Sequence, residues 1–413
     1  MAIDMDSSSV SLPYHAVFEI LSRTPVKSVC RFRCVSKGWR RLISSPVFAA
    51  AHRSRHGPLL VDGGSFPEEE PDGGRDVRLM DTDGNVVRVL RGVGGYGMIC
   101  STSLDDLICV NGASCGGVSV VDPATGEVLL TCPQVDVVEH DAFPYVAVRY
   151  YPVFGFGRAA ASGEYKIVRV VNDSTCEILT LGDGGNGWRK TQPPPTCCRP
   201  GTDRGSPVTV NGVMYFLIDL ATANDDTLLC LDLESEQWKP DVLGGPRELF
   251  DMEEWEKILA VRITELNGAL CVVQPVCDET RWDKFPEDPF TNIWLLDDSG
   301  KSWIKAYRIP MAASASRYTP LRVMPDTGKV LLQCSLDCYF DKEPSVVLRV
   351  YDPRTGSCVD VTGAAPDDLA GRIGLCSFGL DHPVSGGKSL LARFFDQASL
   401  FFSKKNGQEA MEN

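Results

Sequence analysis

The 413-residue sequence lacks most features of a membrane protein, a secreted protein or a metalloenzyme. No apolar run approaches the 18 residues that suggest a spanning helix. The first ten residues carry two aspartates and no basic residue, so we expect no secretory signal peptide. Only five histidines occur in the 413 residues, too few to suggest a histidine-rich metal site. We therefore expect no metal, no cofactor and no membrane, and a cytoplasmic or nuclear location.

Cysteine, by contrast, is abundant, with sixteen residues. They lie singly within apolar segments, as at Cys109, Cys230 and Cys271, where a thiol packs as a small hydrophobe. Without an export signal, this pattern predicts reduced thiols rather than disulfides. Cys334 and Cys338 share one face of a strand by alternation, and core packing is a better interpretation for them than metal binding.

Charge is unevenly distributed along the chain. The formal net charge is -14, yet residues 1–57 carry nine basic and three acidic side chains, a local balance of +6. Residues 58–413 therefore carry -20, which predicts a domain boundary near residue 57. An acidic chain is also a poor candidate for bulk binding to nucleic acid or anionic membranes.

Residues 12–48 have the pattern of consecutive short helices. Thr24-Pro25 and Ser45-Pro46 place a capping hydroxyl before a proline that suits the first helical position. Apolar residues recur at helical spacing between these starts. Three to four short helices cannot bury enough apolar surface to be robust alone, so we expect a partner that covers it. The basic balance predicts that this partner is acidic.

The segment from residue 12 to residue 52, LPYHAVFEILSRTPVKSVCRFRCVSKGWRRLISSPVFAAAH, resembles the plant F-box. The resemblance includes an initial Leu-Pro, an Ile-Leu pair, Arg-x-Pro-x-Lys-Ser, Arg-Phe-Arg-Cys-Val-Ser-Lys-x-Trp and Leu-Ile-Ser-x-Pro-x-Phe. It implies docking on an acidic Skp-family adaptor, and through it on a cullin ubiquitin ligase. The residues predicted to form the adaptor site are Leu12, Pro13, Phe18, Ile20, Leu21, Pro25, Val26, Val29, Phe32, Val35 and Trp39.

Two positions depart from the family pattern. Tyr14-His15-Ala16 stands where the family prefers proline or acidic residues, and Thr24 stands where it usually has leucine. A basic DNA-binding helical unit is the alternative interpretation of the segment. It is disfavoured because apolar and aromatic spacing dominates over an exposed polar recognition face.

From Leu59 onward, short apolar runs alternate with glycine, aspartate, asparagine or proline, which predicts an all-β sandwich or propeller. The segments 122–126 and 352–356, both Asp-Pro-x-Thr-Gly, have the pattern of hairpin turns. Trp188, Trp238 and Trp303 recur near the ends of strand pairs. Such loosely periodic hairpins favour a propeller of about six or seven blades over strict kelch or WD40 repeats.

Four stretches, residues 155–190, 210–238, 265–309 and 350–356, resemble the plant F-box-associated domain. Ala159-Ala160-Ala161 replaces its usual Tyr-Asp turn, so we expect this loop to be reshaped. The residues that carry the resemblance are Gly155, Gly157, Gly163, Glu164, Tyr165, Lys166, Trp188, Asn211, Gly212, Gly268, Trp294 and Trp303.

The predicted architecture is therefore a small all-α F-box followed by a large all-β domain, an irregular β-propeller. We expect the F-box at 1–57, a linker and the start of the β domain at 58–76, the F-box-associated propeller-like domain at 77–402, and a polar tail at 403–413.

Two motifs could indicate an enzyme, and their contexts argue against it. Residues 112–116 match Gly-x-Ser-x-Gly, but a strand and a turn follow where a nucleophile elbow needs a helix. Residues 300–302, Gly-Lys-Ser, resemble the end of a phosphate loop, but no glycine stands five residues before Gly300, where the motif requires one. We expect no catalytic residue.

The favoured function is a substrate-recognition subunit of a cullin-based ubiquitin ligase, whose β domain binds a target protein. The alternatives are an F-box scaffold outside ubiquitination and a ligand-binding or enzymatic propeller. Acidic segments at 68–72, 251–256 and 287–288 predict a basic or neutral target surface, unless these residues serve only solubility.

Overall fold

The computed structural model describes residues 12–24, 26–45, 47–48, 51–52, 58–62, 75–94, 107–111, 117–123, 126–132, 139–140, 148–149, 153–171, 175–182, 187–196, 198, 206–218, 227–246, 261–276, 289–297, 299–312, 315–336, 346–361 and 373–376. The chain divides into two compact units, Met1–Pro58 with Ser377–Asn413, and Leu59–Cys376. In the parts described, the first is helical and the second is built of strands. No helix in these ranges has the length and apolarity to cross a membrane.

Three short helices form the described N-terminal unit: α1 (Tyr14–Ser22), α2 (Val26–Phe32) and α3 (Lys37–Ile43). Ser36 caps α3, and its Oγ accepts a hydrogen bond from the Trp39 amide at 3.1 Å. The sequence predicts three to four short helices, and three have bounds within the described residues. Residues 47–48 and 51–52 are helical as well, but the ends of a fourth helix are not described. They do contribute Phe48 to the core of the unit.

The β domain contains six blade sheets, numbered here in chain order. Blade 1 has the spatial order β26 (Gly374–Cys376), β1 (Leu59–Asp62), β2 (Arg75–Met80), β3 (Val86–Gly94). Blade 2 contains β4 (Ile108–Asn111), β5 (Val118–Val121) and β6 (Val128–Cys132). A separate two-stranded ladder joins β7 (Glu139–His140) to β8 (Val148–Arg149).

The next four blades follow the chain as antiparallel meanders. Blade 3 contains β9 (Val153–Arg158), β10 (Tyr165–Val171), β11 (Thr175–Thr180) and β12 (Arg189–Thr191). Blade 4 contains β13 (Val208–Val210), β14 (Val213–Leu217), β15 (Thr227–Asp232), β16 (Gln237–Trp238) and β17 (Leu243–Gly244). Blade 5 contains β18 (Arg262–Leu266), β19 (Ala269–Val276), β20 (Phe290–Leu296) and β21 (Trp303–Pro310). Blade 6 contains β22 (Ala315–Val323), β23 (Val330–Leu336), β24 (Val346–Asp352) and β25 (Ser357–Asp360).

The inner strands arrange the blades around a ring. Strand β13 lies against β9 and β18, and β18 lies against β22. Blade 1 closes the ring, because its inner strand β26 comes from the end of the domain and pairs with β1 from its start, with Leu60 opposite Leu375. The six-bladed propeller confirms the predicted fold of the β domain.

Apolar clusters fill the space between neighbouring blades. Separate clusters join blades 3 and 4, blades 4 and 5, blades 5 and 6, and blades 6 and 1. Four cysteines singled out from the sequence, Cys109, Cys230, Cys271 and Cys334, are buried. Cys338 lies outside the described residues. The described cysteines, these four included, are free thiols.

The predicted aspartate turns join the last two strands of a blade, β5 to β6 in blade 2 and β24 to β25 in blade 6. The amides of Gly126 and Gly356 donate to the carbonyls of Asp122 and Asp352, at 2.7 and 2.8 Å. Both glycines have positive φ, 80° and 70°, a conformation that costs glycine little. The hairpin interpretation of both segments is confirmed.

Candidate functional site

The predicted adaptor site divides between the surface and the core of the helical unit. Leu12 is 55% exposed, Ile20 54% and Val35 61%, and Pro13 is exposed as well. Leu21 and Val29, in contrast, are at most 1% exposed. These two side chains are part of the unit's own core, and their contact with an adaptor stays a prediction. Pro25 and the side chain of Val26 lie outside the described part.

The aromatic members of the predicted site hold the helices together. Phe18 meets Phe48 edge-to-face, with ring centroids 5.4 Å apart, and Phe32 meets Trp39 at 5.7 Å. These contacts join α1 to the segment after α3, and α2 to α3. Aromatic pairs in this geometry stabilise beyond the area that they bury. Phe18, Phe32 and Trp39 are half-buried, so each retains some exposed surface.

Thr24, which departs from the family pattern, has a local structural role. Its Oγ1 donates a hydrogen bond to the Ile20 carbonyl at 2.8 Å and so satisfies a group at the end of α1. Its own carbonyl lies 2.8 Å from Nε2 of the buried His52. The turn after α1 is therefore held from both sides, and this fixes the backbone next to the exposed Ile20.

Basic side chains lie beside the exposed apolar ones. Arg31, Lys37, Arg40 and Arg41 are exposed, whereas Arg33 is half-buried and donates to Ser44 Oγ at 2.6 Å. Arg33 thus links the residues before α3 to the end of that helix. The four exposed basic side chains give the surface of α2 and α3 a positive charge. An acidic partner surface would complement this charge.

The two ends of the propeller differ in their connections. Strand direction places the inner-to-second turns and the third-to-outer turns of a blade at one end, called here the turn end. The opposite end, the loop end, receives the second-to-third connections and the links between blades. Many of these are long, such as residues 63–74, 219–226, 277–289 and 337–345.

The turn end is joined across blades by hydrogen bonds. Asn267 in blade 5 binds Val323 in blade 6 twice, accepting from its amide at 2.9 Å and donating to its carbonyl at 3.0 Å. The predicted reshaped loop is held in the same way, since Glu234 of blade 4 accepts from the amides of Ala161 and Ser162. These bonds link blades 3 and 4, and blades 5 and 6.

A charged cluster also joins blades 3 and 4 at this end. The ammonium of Lys166, whose side chain is 5% exposed, donates to Glu236 Oε1 at 2.9 Å and to the Leu233 carbonyl at 2.6 Å. Arg189 donates to both carboxylate oxygens of Glu236, at 2.7 and 2.8 Å. Hydrogen bonds from Arg189, and then from Lys166, hold the pKa of Glu236 below its ordinary value. The cluster is a structural joint, because Lys166 and Arg189 of blade 3 both donate to Glu236 of blade 4.

The segments suspected of catalysis offer no catalytic geometry in the part described. Residues 300–302 form the turn between β20 and β21, where Asp297 Oδ1 accepts from the amides of Lys301 and Ser302, both at 3.1 Å. These residues therefore form a turn between two paired strands. Residues 112–116 lie outside the described residues. Within them, no group of three histidine, cysteine or acidic side chains could hold a metal ion.

The three predicted acidic segments also lie outside the described residues. The strands that they join are described, however. Residues 68–72 fall between β1 and β2, residues 251–256 between β17 and β18, and residues 287–288 between β19 and β20. All three are connections of the loop-end type. Their contribution to target binding stays a prediction.

Comparison with known families decides between the interpretations of the two units. A model of the F-box domain matches residues 10–49, and a model of the F-box associated beta propeller domain matches residues 90–370. The chain belongs to the F-box associated β-propeller family. The predicted order, an F-box followed by an F-box-associated β domain, is confirmed.

Relatives of this F-box protein occur in Arabidopsis thaliana. F-box protein At5g10340 is 26% identical over 398 residues, covering 86% of this chain and 81% of the relative. F-box/kelch-repeat protein At2g43445 is 24% identical over 322 residues, covering 75% and 68%. F-box protein At1g11270 is 28% identical over 305 residues, covering 70% and 88%. These homologues imply a plant origin.

Proposed function

We propose that this protein is the substrate-recognition subunit of a cullin-based, SCF-type ubiquitin ligase. Its F-box docks on a Skp-family adaptor, and its propeller holds a target protein. The observation that carries the proposal is the presence of an F-box and an F-box associated propeller in one chain. The exposed apolar residues on the described F-box supply the surface that docking needs.

The exposed residues of the predicted site are the ones that contact the adaptor directly. Leu12, Pro13, Ile20 and Val35 present apolar surface that is in water in the isolated chain. Covering such surface is favourable by about 25 cal/mol per Å² of apolar area. Leu21 and the other core residues act indirectly, since they hold the helices that position these side chains. The exposed arginines and Lys37 steer an acidic partner and add selectivity.

The role of the propeller is to hold the target near the ligase. Tethering converts transfer of ubiquitin from a bimolecular encounter into an effectively intramolecular one, which raises the local concentration of target lysines. The chain itself then binds and positions, and the chemistry belongs to the other subunits. The loop end carries the longer connections and suits recognition of a particular target, because loops can change without disturbing the blades.

The test is reconstitution of the complex. The full chain is coexpressed with a plant Skp-family adaptor and a cullin, and its targets are captured from plant cells in which the proteasome is blocked. We expect stoichiometric copurification of the adaptor, and targets that gain ubiquitin only when the full chain is present. Adaptor binding without ubiquitination of any captured target would instead favour the scaffold function, and absence of adaptor binding would contradict the proposal.

The F-box and the β domain should bind different partners independently. A chain of residues 58–405 should fold as an all-β domain, because every strand of blades 1 to 6 lies beyond residue 58. It should bind targets but not the adaptor. Far-ultraviolet circular dichroism and adaptor copurification provide the measurements. Strong helical minima, or retained adaptor binding, would contradict this division of labour.

A further inference from the structure

Glu265 places a carboxyl group in the interior of the propeller, near the end of the inner strand of blade 5. The residue is 5% exposed. Its Oε1 accepts a hydrogen bond from the Gly268 amide, in the turn between β18 and β19. Its Oε2 is buried and has no hydrogen-bond partner among the described residues, and no described cation forms an ion pair with it. A buried carboxylate without a counter-charge is strongly disfavoured, whereas a neutral carboxyl is not.

The side of β18 that carries Glu265 faces blade 4. Ile263 belongs to the apolar cluster between blades 4 and 5, and strand alternation puts Glu265 on the same side. The facing inner strand, β13, contains residues 208–210 and has no ionisable side chain. Tyr215 of β14 packs against the same cluster, and burial raises the pKa of its phenol, so it supplies no charge at neutral pH.

The other strands packed against β18 are β19 and β22. The remaining charged or titratable side chains on β18, β19 and β22 are Arg262, Cys271, Arg317, Tyr318 and Arg322. Arg262 is three positions from Glu265 and so lies on the opposite side of β18, toward blade 6, as β22 does. Burial, and then the charge of Glu265, raise the pKa of the Cys271 thiol, which is therefore neutral.

Burial is thus the largest influence on Glu265. It raises the pKa of this carboxyl above its ordinary value, and the hydrogen bond from Gly268 opposes the change only in part.

Blade 4 has a hydroxyl at the corresponding position. Residues 209–212, Thr-Val-Asn-Gly, end the first hairpin of blade 4 as residues 265–268, Glu-Leu-Asn-Gly, end that of blade 5. Thr209 is 7% exposed, and its Oγ1 donates to the Phe156 carbonyl of the preceding blade at 3.2 Å. A neutral carboxyl also carries a hydroxyl donor, whereas a carboxylate only accepts.

The turn that binds Glu265 also contacts both neighbouring blades. Asn267 accepts from the Val323 amide of blade 6 at 2.9 Å, and the Gly268 carbonyl lies 3.5 Å from Nδ2 of Asn211 in blade 4. Movement of this turn would therefore change contacts in three blades. Glu265 is only 5% exposed, so an ionised carboxylate could gain hydration only if the turn moved outward.

We propose that Glu265 is a proton-binding site, neutral in the folded propeller at neutral pH, and that its ionisation displaces the Asn267-Gly268 turn from blades 4 and 6. In this step the O–H bond of the carboxyl breaks and the proton passes to water. The site is a pH-sensitive device of the fold, and it does not depend on which target the propeller binds.

Unfolding at different pH values tests the proton site. A carboxyl with a raised folded pKa contributes stability that is fully present below its unfolded pKa and is lost as the pH rises through the folded one. The unfolding constant of the wild type, relative to that of Glu265→Gln, should therefore increase about tenfold per pH unit from pH 4.5 up to the folded pKa. The measurement is urea unfolding of the full chain, followed by tryptophan fluorescence.

The pH range and a matched variant isolate this effect. The pKa of Glu236 is lowered, so its contribution is constant above pH 4.5. Glu127→Gln changes an exposed glutamate of the β domain and should keep the wild-type pH profile. Glu265→Thr restores the side chain found in blade 4 and should remove the pH dependence as Glu265→Gln does. It keeps the test open if the glutamine variant fails to fold.

Two spectroscopic measurements follow the proton and the turn separately. Infrared difference spectra of the full chain at neutral pH should show a protonated-carboxyl band that Glu265→Gln removes. Hydrogen exchange of the Val323 amide, compared between the two proteins at each pH, should become faster in the wild type as the pH rises.

Three outcomes would overturn the inference. One is a carboxylate band at neutral pH that Glu265→Gln removes, since the buried group would then be ionised. Another is the same pH profile of unfolding in the wild type and in both Glu265 variants. The third is equal protection of the Val323 amide at every pH, which would mean that ionisation does not displace the turn.

Discussion

Replacing both Pro13 and Ile20 by alanine should abolish copurification of the Skp-family adaptor. Both side chains are exposed in the F-box, and the resemblance assigns both to adaptor contact. Losing two apolar anchors of about 1–2 kcal/mol each should weaken the complex by roughly one to three orders of magnitude. The measurement is coexpression followed by affinity purification, with surface plasmon resonance on the purified full chain.

The F-box offers a matched control for this experiment. Val47 is 71% exposed and is absent from the predicted site, so Val47→Ala should leave the affinity unchanged. Leu21→Ala should act differently. It removes a core side chain, which typically lowers the free energy of unfolding by about 2–5 kcal/mol, so binding should be lost together with the helical structure. Undiminished copurification of the Pro13 and Ile20 double variant would rule out the docking model.

Ile20 is exposed and Leu21 is buried, and the sequence could not predict which of the two would lie in the core. Both residues belong to the apolar Ile-Leu pair that resembles an F-box, and neither spacing nor hydropathy distinguishes them. Short helices bury part of their apolar surface against each other and leave the rest to a partner. Which part is buried depends on how Phe48 and α3 pack on α1, and that packing is a property of the folded unit.

The turns of the propeller, by contrast, could be predicted because their cause is local. In Asp352-Pro353-Arg354-Thr355-Gly356, the aspartate Oδ1 accepts the Arg354 amide at 3.0 Å, and Gly356 adopts the left-handed conformation. These preferences act within five residues and do not depend on the rest of the chain. The turn at residues 300–302 has similar local chemistry, because Asp297 Oδ1 accepts from the amides of Lys301 and Ser302.

Closure of the ring and the contacts between blades could not be predicted from local sequence patterns. The pairing of β26 with β1 connects residues more than 300 positions apart, and no local signal identifies it. The tryptophans were visible as a loose repeat, but their bonds to Gln192 and Gly244 appear only when the blades are packed. The same holds for Lys166, which the family resemblance singled out without showing its partner in blade 4.

The partner of Lys166 in blade 4 is Glu236, and its replacement should strongly reduce the stability of the chain. Glu236→Gln should lower the free energy of unfolding of the full chain by about 3 kcal/mol, because it removes the nearest counter-charge of the nearly buried Lys166 ammonium and leaves only Glu164, whose Oε2 is 3.9 Å away. Arg189 loses its paired carboxylate in the same step. Urea unfolding followed by tryptophan fluorescence reports the change, since six of the seven tryptophans lie in the β domain.

A more exposed ion pair is the control for this experiment. Lys329 and Asp352 lie 3.3 Å apart in blade 6, and their side chains are 40% and 20% exposed. Exposed pairs contribute little, so Lys329→Met should shift the unfolding curve far less than Glu236→Gln. Equal shifts for the two variants would show that the cluster between blades 3 and 4 acts as ordinary surface charge.

The pH dependence of unfolding stability distinguishes loss of the Glu236 charge from a simple packing defect. Hydrogen bonds from Arg189 and Lys166 lower the pKa of Glu236 in the folded chain below its ordinary value of 4.5. A carboxylate with a lowered folded pKa contributes stability that is present above its unfolded pKa and is lost as the pH falls through the folded one. The difference in stability between wild type and Glu236→Gln should therefore be constant near neutrality and shrink progressively below pH 4.5. A difference that stays constant to low pH would mean that shape at this position, rather than charge, joins the two blades.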